Sequence, residues 1–304
     1  RQHITDDDIR AVNEVLRSDY LTQGPKIAEF ERAFAEYIGV KYAVAVSNGT
    51  AALHLCTMAL NVQPGDKVIT TPITFSASAN CVRYCGGEVV FADIDPETYL
   101  LDIDSVRKIL ENDPQGNYKG IIPVDFAGRA VDLEAFRALA NEYGLWIIED
   151  ACHAPGGYFT DSNEVQQWCG NGQFADLAIF SFHPVKHIAC GEGGMVATND
   201  EELYKQLNRL RSHGITKGDD EYINSMEFAS AGGNEYPAWY MELQQLGYNY
   251  RLTDFQAALG LSQLTRAEQG LVRRRQIASV YNEFFEGKPY LIRQSGVIEG
   301  HAYH

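Results

Sequence analysis

The feature that most constrains the fold is a regular alternation of short apolar runs with longer amphipathic stretches. The short runs are apolar almost throughout, which is typical of strands buried on both faces, and they include YAVAVS, LWIIEDA and DLAIFSF. In the longer stretches the apolar side chains recur every three or four positions, as in DLEAFRALANEYG. The alternation predicts an α/β fold with a mainly parallel sheet covered by helices on both faces.

One region interrupts this alternation. Residues 215–247 are acidic and then aromatic without a clear period, which predicts a long functional loop. The helical pattern resumes at a potential capping box of Thr253 and Gln256. We therefore expect a large domain over residues 1–247 and the start of a small, apparently incomplete C-terminal domain over residues 248–304.

Composition excludes several classes of function. A net charge of -16 over 304 residues argues against a sequence-independent nucleic-acid binder, which needs a basic face. No apolar run is long enough to span a membrane, and the first residues, RQHITDDDIR, lack a signal-peptide pattern. The six cysteines form no CxxC motif, and His183 and His187 lack the HExxH context of a metal site. We expect a cytoplasmic protein with reduced thiols, no metal and no nucleic-acid or membrane partner.

Candidate functional residues follow from the fold class. In such sheets ligands bind beyond the carboxyl ends of the strands. The rule brings five separate segments to one rim, namely residues 48–50, Phe75, Asp125, Asp150 and Lys186.

Lys186 lies between the apolar run DLAIFSF and the glycine-rich GEGG. An ammonium group is costly to bury unless it is paired or has reacted. A partly desolvated lysine has a lowered pKa and can form a Schiff base with an aldehyde. The alternative is a solvated lysine just past the sheet.

Two further residues follow the run LWIIED. Asp150 ends that run and is a candidate partner for a protonated ring nitrogen, such as that of pyridoxal phosphate; the alternative is an N-cap for the next turn. His153 is a candidate to contact such a ring, or a satisfied structural histidine.

A phosphate site is possible where SNGTAAL turns from strand to helix. Helix N-termini bind phosphate through free N–H groups, which Gly49, Thr50 and Ala51 would supply, and Ser181 could add a hydroxyl. Similar turns also occur as plain connections. The GxGxxG, GxxxxGK[ST] and GxSxG motifs are absent, so neither nucleotide fingerprint nor a hydrolase elbow is present.

Taken together, the chain resembles the fold-type I aminotransferases of the DegT/DnrJ/EryC1/StrS family, which depend on pyridoxal 5′-phosphate (PLP). The matching stretches cover nearly the whole chain in the family's order, and they are LTQGPKIAEFE, SNGTAALH, TTPITFSASAN, FADIDPETY, IIEDACHA, FSFHPVK, GEGGMV and LGYNYRLTDFQAALGLSQL. Family members continue past the AYH region, so we expect residues to be missing at both ends of this chain.

The resemblance implies roles for individual residues at the ring of the cofactor. Lys186 matches the lysine that binds PLP as a Schiff base and then moves the proton. Asp150 matches the partner of the pyridinium nitrogen, and His153 matches the position that contacts the side of the ring. Phe75 matches the aromatic residue that stacks on the ring.

Other residues match positions around the cofactor phosphate and the substrate. Thr50, Ala51 and Ser181 match the phosphate cradle. Asn249 matches an asparagine that reaches the phosphate from the other subunit of a homodimer, so shared active sites are implied. Arg251 would lie nearby and hold substrate.

Two stretches, VDFAG and AWYMELQQLGYNYRL, resemble the pseudaminic acid branch of the family. This implies transfer of the amino group of L-glutamate to the C4 ketone of a UDP-4-keto-6-deoxy-HexNAc. The alternatives are a different NDP-4-keto-6-deoxy sugar and a non-catalytic PLP-fold binding or regulatory protein. The joint presence of Lys186, Asp150, Ser181 and Asn249 counts against the latter.

Overall fold

The computed structural model describes residues 2–218, 221–230, 232–294 and 299–304. Within them the strands are β1 (Tyr42–Val46), β2 (Lys67–Thr70), β3 (Glu88–Phe91), β4 (Tyr118–Ile122), β5 (Trp146–Asp150), β6 (Tyr158–Thr160), β7 (Gln166–Trp168), β8 (Leu177–Ser181), β9 (Gly194–Thr198), β10 (Ile215–Thr216) and β11 (Glu242–Leu243). The helices are α1 (Asp6–Leu16), α2 (Pro25–Ile38), α3 (Gly49–Ala59), α4 (Ala77–Tyr84), α5 (Ile103–Asn112), α6 (Leu133–Tyr143), α7 (Glu201–Arg211), α8 (Met226–Ala229), α9 (Asp254–Leu264) and α10 (Ala267–Phe285).

A seven-stranded sheet forms the centre of the structure, in the order β1-β9-β8-β5-β4-β2-β3. β9 runs antiparallel to both of its neighbours, and the other neighbouring pairs are parallel. The prediction of a mainly parallel sheet is therefore confirmed. Because β5 pairs with β8 in register, with Asp150 opposite Ile179, the ends of these two strands lie side by side.

Helices cover both faces of the sheet. On one face, Phe34 of α2 packs edge-on against Phe180 of β8, with ring centroids 4.9 Å apart. On the other face, α3 is buried almost along its whole length and packs Leu53 and Leu55 into a second apolar cluster. Burial on this scale holds α3 firmly, so its N-terminus has a fixed position at the edge of the sheet.

Capping residues delimit several helices, among them the Thr253 and Gln256 pair that the sequence predicts. The backbone N–H of Thr5 donates to Asp8 over 2.9 Å, which completes a capping box at the start of α1. The hydroxyl of Thr253 donates to Gln256 over 2.7 Å and caps α9 in the same way. Gly39 ends α2 at a φ of 78°, a left-handed conformation that glycine adopts without strain.

Two small antiparallel strand pairs depart from the sequence expectations. The 215–247 stretch contains the β10–β11 pair and the short helix α8, rather than only a loop. It is stabilised by the buried carboxylate of Glu242, which accepts the N–H groups of Ile223 and Asn224 over 2.7 and 2.9 Å. The antiparallel pair β6–β7 was not predicted at all. Strands of two or three residues carry too little pattern to recognise.

Membrane insertion has no support among the helices. Over the part of the chain that the structure describes, no helix combines the length and the hydrophobicity that crossing a bilayer requires.

Candidate active site

Lys186 lies in the turn that follows β8, where its backbone N–H donates to the carbonyl of His183 over 2.8 Å. The side chain is half-buried. This burial lowers the pKa of Lys186, while the acidic groups of Cys152 and Asp150 oppose the shift. Burial also raises the pKa of the Cys152 thiol, so this neighbour stays neutral at pH 7. Lowering the pKa of an amine makes its neutral, nucleophilic form more accessible.

Asp150 is the last residue of β5 and is only 5% exposed. Its Oδ2 accepts a hydrogen bond from the hydroxyl of Ser78 over 2.8 Å. Its Oδ1 accepts the backbone N–H of Cys152 over 3.2 Å, which is the local capping contact that the sequence left as an alternative. The capping contact and the position at the sheet edge therefore coexist, and together they fix the orientation of the carboxylate.

Phe75 lies one turn before Ser78 at the start of α4, since its carbonyl accepts the Ser78 N–H over 3.2 Å. Its side chain is 72% exposed, which is unusual for a large apolar ring. Ser78 itself is buried against Asp150. Phe75 is thus one turn from a residue that contacts Asp150, and its exposed ring offers a face that a flat ligand could cover.

The N-terminus of α3 approaches the end of β8 closely. A Cβ added at Gly49 would lie 3.1 Å from the Cβ of Ser181, so only glycine allows this approach without a shift. Asn48 caps the helix by accepting the N–H of Ala51 over 2.8 Å. The first N–H groups of a helix, here those of Gly49 and Thr50, lack partners within it and suit a phosphate. The predicted cradle of Thr50, Ala51 and Ser181 is therefore one local cluster.

His153 is half-buried and stacks on His304, with ring centroids 4.0 Å apart and planes 5° apart. Burial, together with the charge of Lys186, lowers the pKa of His153 to about 4. The ring is therefore neutral at pH 7, and its Nδ1 accepts the N–H of Ala127 over 3.3 Å. Sequence reasoning missed His304, because a position in an irregular segment far along the chain carries no pattern.

Asn249 and Arg251 lie on a segment that runs beside the phosphate loop. The N–H of Ser47 donates to the carbonyl of Tyr250 over 2.7 Å, and Arg251 forms an isolated bridge with Val46 at the end of β1. The side chain of Asn249 is exposed. Both residues are thus near the site, but their side chains belong to a neighbouring surface.

That surface contains a cavity of about 480 Å³ between α7 and the β10–β11 strand pair. Among the described residues, several buried polar atoms here have no hydrogen-bond partner: the Nε atoms of Arg209, Arg211 and Arg251 and the hydroxyl of Thr216. Arg211 forms an ion pair with Glu31, whereas no ion pair is found for Arg209 or Arg251 in the described chain. Unpartnered donors and cations around one cavity favour an anionic ligand.

Asp125 is not on the rim, contrary to the sequence expectation. Its side chain is 1% exposed and turns below the edge of the sheet, where Oδ1 accepts the N–H of Val131 over 2.9 Å. It lies instead with Glu149 and Cys169 in a buried group. The chain turns sharply after β4, through a short 3-10 segment at Phe126–Gly128, and the strand pattern gives no direction for a side chain in such a turn.

Comparison with known proteins adds independent information. A profile of the DegT/DnrJ/EryC1/StrS aminotransferase family matches residues 2–304. The spore coat polysaccharide biosynthesis protein SpsC of Bacillus subtilis is 40% identical over 98% of this chain and 72% of its own length. A Campylobacter jejuni UDP-4-amino-4,6-dideoxy-N-acetyl-beta-L-altrosamine transaminase is 38% identical over 95% of this chain and 69% of its own. Helicobacter pylori PseC, an aminotransferase of pseudoaminic acid biosynthesis, superposes with a TM-score of 0.80 at 33% identity, over 95% of this chain and 70% of its own.

Proposed function

Because the chain belongs to the DegT/DnrJ/EryC1/StrS aminotransferase family, whose members are PLP-dependent, we propose that it moves the amino group of L-glutamate to the C4 ketone of a UDP-4-keto-6-deoxy-HexNAc. Transamination and the PLP cofactor follow from the family itself. The donor and the keto-sugar are the proposal. The observation that carries it is the joint position of Lys186 and Asp150 at one sheet edge. A neighbouring cavity with unpartnered arginine donors includes Arg251, which lies next to the phosphate loop.

The residues present fit PLP. The N-terminus of α3 offers donors for its phosphate, and the glycine that permits the close approach of Ser181 is in place. The exposed ring of Phe75 offers a flat face, and Lys186 offers an amine of lowered pKa. When bound, PLP supplies an electron sink and carries the amino group between donor and acceptor.

The proposed role of Asp150 is to keep a ring nitrogen of the cofactor protonated. Two donors, the Ser78 hydroxyl and the Cys152 N–H, fix its carboxylate and leave its remaining lone pairs for a ring nitrogen. A fixed carboxylate next to that nitrogen favours its protonated form. We assign to Asp150 the task of keeping this proton in place.

Lys186 has the task of moving a proton. Its lowered pKa makes the neutral amine more accessible, and a neutral amine can condense with a carbonyl carbon with loss of water. Once released, the amine can take up and return a proton. The side chain is only half-buried, so it has room to move between these positions. His153 remains neutral and lies along the side of the site, where it can orient a bound ring without adding charge.

The substrate assignment rests on the arginine-lined cavity, which favours an anionic ligand, and on the relatives. The cavity lined by Arg209 and Arg251 suits a diphosphate, and the exposed indole of Trp239 lies in the same 215–247 stretch. Relatives over 95% of this chain include a transaminase named for a UDP-linked amino sugar. We further propose a homodimer in which Asn249 reaches the cofactor phosphate of the partner, since its side chain is exposed next to the phosphate loop.

The substrate is tested by comparing rates, because enzymes separate substrates through transition-state binding. The measurement is kcat/KM with L-glutamate for the UDP-4-keto-6-deoxy-HexNAc of the L-arabino series, for its D-xylo epimer and for dTDP-4-keto-6-deoxyglucose. We expect the first to have the highest value. Faster turnover of either competitor would contradict the specific substrate and leave the aminotransferase assignment standing.

A further inference from the structure

A buried acidic group lies beneath the active-site edge of the sheet. Glu149 directly precedes Asp150 on β5, so the strand alternation turns its side chain to the opposite face. There it meets Asp125 and Cys169, and ligand-type atoms of the three side chains lie within 4.8 Å of one another. Both carboxyl groups are at most 2% exposed.

The hydrogen bonds of this group do not balance if both carboxyls are ionised. The two oxygens of Glu149 accept the same N–H, that of Gly170, over 3.0 Å each. Asp125 accepts the N–H of Val131 with Oδ1, while its Oδ2 has no hydrogen-bond partner at normal distance among the described residues. The neighbouring Cys169 thiol is a weak donor that interacts with the same carboxyl. No lysine, arginine or histidine forms an ion pair with Asp125 or Glu149 in the described ranges. Two buried anions without a cation are costly, and one proton between them removes the conflict.

The electrostatic environment agrees with a retained proton. Burial raises the pKa of Asp125 to about 7, and burial and the charge of Asp125 raise the pKa of Glu149 well above its ordinary value. The other titratable groups that face the pair are Asp150, Cys169 and Cys152, all of them acidic. Burial raises the pKa of both thiols, so they add no charge and offer no cation.

The group is connected to the active site through the backbone. The N–H of Asp125 donates to the carbonyl of Asp150 over 3.1 Å, and the N–H of Asp150 donates to the carbonyl of Pro123 over 3.0 Å. A shift of the Asp125 backbone relative to β5 would therefore move the peptide that carries the Asp150 carboxylate. Mutual repulsion of two buried carboxylates would drive such a movement.

We propose that Asp125 and Glu149 share a proton at neutral pH, and that this bridge makes them positioning residues for Asp150. The positioning role rests on the proposed role of Asp150 at the cofactor ring. The shared proton does not rest on that role. The shared proton and the positioning role are therefore tested separately.

The proton is tested on the cofactor-free protein by infrared spectroscopy. At pH 7 exposed carboxyl groups are ionised, so a C=O stretch of a protonated carboxylic acid reports a buried one. We expect this signal in the wild type and its loss in Glu149→Gln, whose amide can donate to Asp125 while its oxygen accepts from Gly170. The matched control is Asp8→Asn, which alters an equally buried carboxyl that Arg266 neutralises and should leave the signal unchanged.

The positioning role is tested through the dissociation constant of PLP measured against pH. At each pH we take the ratio of the PLP dissociation constant of the wild type to that of Glu149→Gln. The titration of the cofactor and of Lys186 cancels in this ratio, because both proteins share it. We expect a flat ratio while the infrared signal is present. Above the pH where the signal disappears, the ratio should rise by up to about tenfold per pH unit, the limit for one linked proton.

Each outcome decides one part. The absence of a protonated-acid signal in the wild type overturns the shared proton, and a metal ion bound between the carboxylates would give this same result. A signal that persists in Glu149→Gln also overturns it. A ratio that stays flat across the infrared midpoint overturns the positioning role. The proposed role of Asp150 at the cofactor ring is contradicted by a different result. In that case the Asp150→Asn protein would have unchanged half-reaction rates and an intact infrared signal.

Discussion

At the residue scale, the site depends on side chains that are costly to bury. Lys186 and Asp150 could be found from the sequence because each is a charged residue that ends or follows an apolar strand, and the structure places both at one edge. The actual partners of Asp150, the Ser78 hydroxyl and the Cys152 N–H, could not be found, because they depend on how α4 packs. Asp125 was expected on the rim but its side chain is buried, because it lies in the sharp turn after β4, where the strand pattern gives no direction for a side chain.

The role of Asp150 predicts the behaviour of Asp150→Asn. The amide keeps the shape and can still accept from Ser78, but it has no charge to hold a proton on the ring nitrogen. We expect PLP to bind and the half-reaction with L-glutamate to slow by about a hundredfold or more, measured by stopped-flow absorbance. Asp176→Asn, which breaks an ion pair with Arg137 outside the site, is the control and should react normally. An Asp150→Asn protein as fast as this control would show that the assigned role is wrong.

At the element scale, helix α3 connects the core to the phosphate site. Its start was predicted from SNGTAAL, because a strand followed by Asn-Gly-Thr is a strong helix-start signal, and the structure begins α3 at Gly49. The contact between Gly49 and Ser181 could not be predicted, since it joins elements far apart in the chain. The short strands β6, β7, β10 and β11 were missed because tertiary contacts, rather than local pattern, hold them.

This contact predicts a specific effect of Gly49→Ala. The new methyl group would press on Ser181 and move the N-terminus of α3 away from β8. We expect a loss of about 1–3 kcal/mol in the free energy of unfolding, as for other overpacked sites, and weaker PLP binding in a fluorescence titration. Gly270→Ala in α10 is the control, because no atom lies near its added methyl and alanine favours a helix. Wild-type PLP affinity in Gly49→Ala would contradict the assignment of the phosphate site.

At the scale of the whole molecule, the mainly parallel sheet follows from the alternation of apolar runs and amphipathic stretches, which is why the fold class could be predicted. The division between residues 1–247 and 248–304 stays a prediction, and so do the cytoplasmic location and the homodimer. Single-chain patterns carry little information about contacts between copies, because a residue exposed in one subunit can be buried in a dimer. Asn249 is such a residue.

The proposed homodimer predicts complementation between two inactive variants. Lys186→Ala lacks the reactive amine, and Asn249→Ala lacks the group proposed to reach the partner's phosphate. After subunit exchange, half of the dimers are mixed and each mixed dimer has one intact site, so we expect about a quarter of wild-type activity. Exchange is verified by native mass spectrometry. Verified exchange without recovered activity would mean that each site is built from one chain.

The central claim is that Lys186 binds PLP covalently, and covalent labelling tests this claim most directly. The PLP-loaded protein is reduced with borohydride, digested and mapped by mass spectrometry, with Lys186→Ala as the control. The account predicts a pyridoxyl group on Lys186 and no labelled lysine in the control. A label on a different lysine, or loaded wild-type protein without any label, would contradict it.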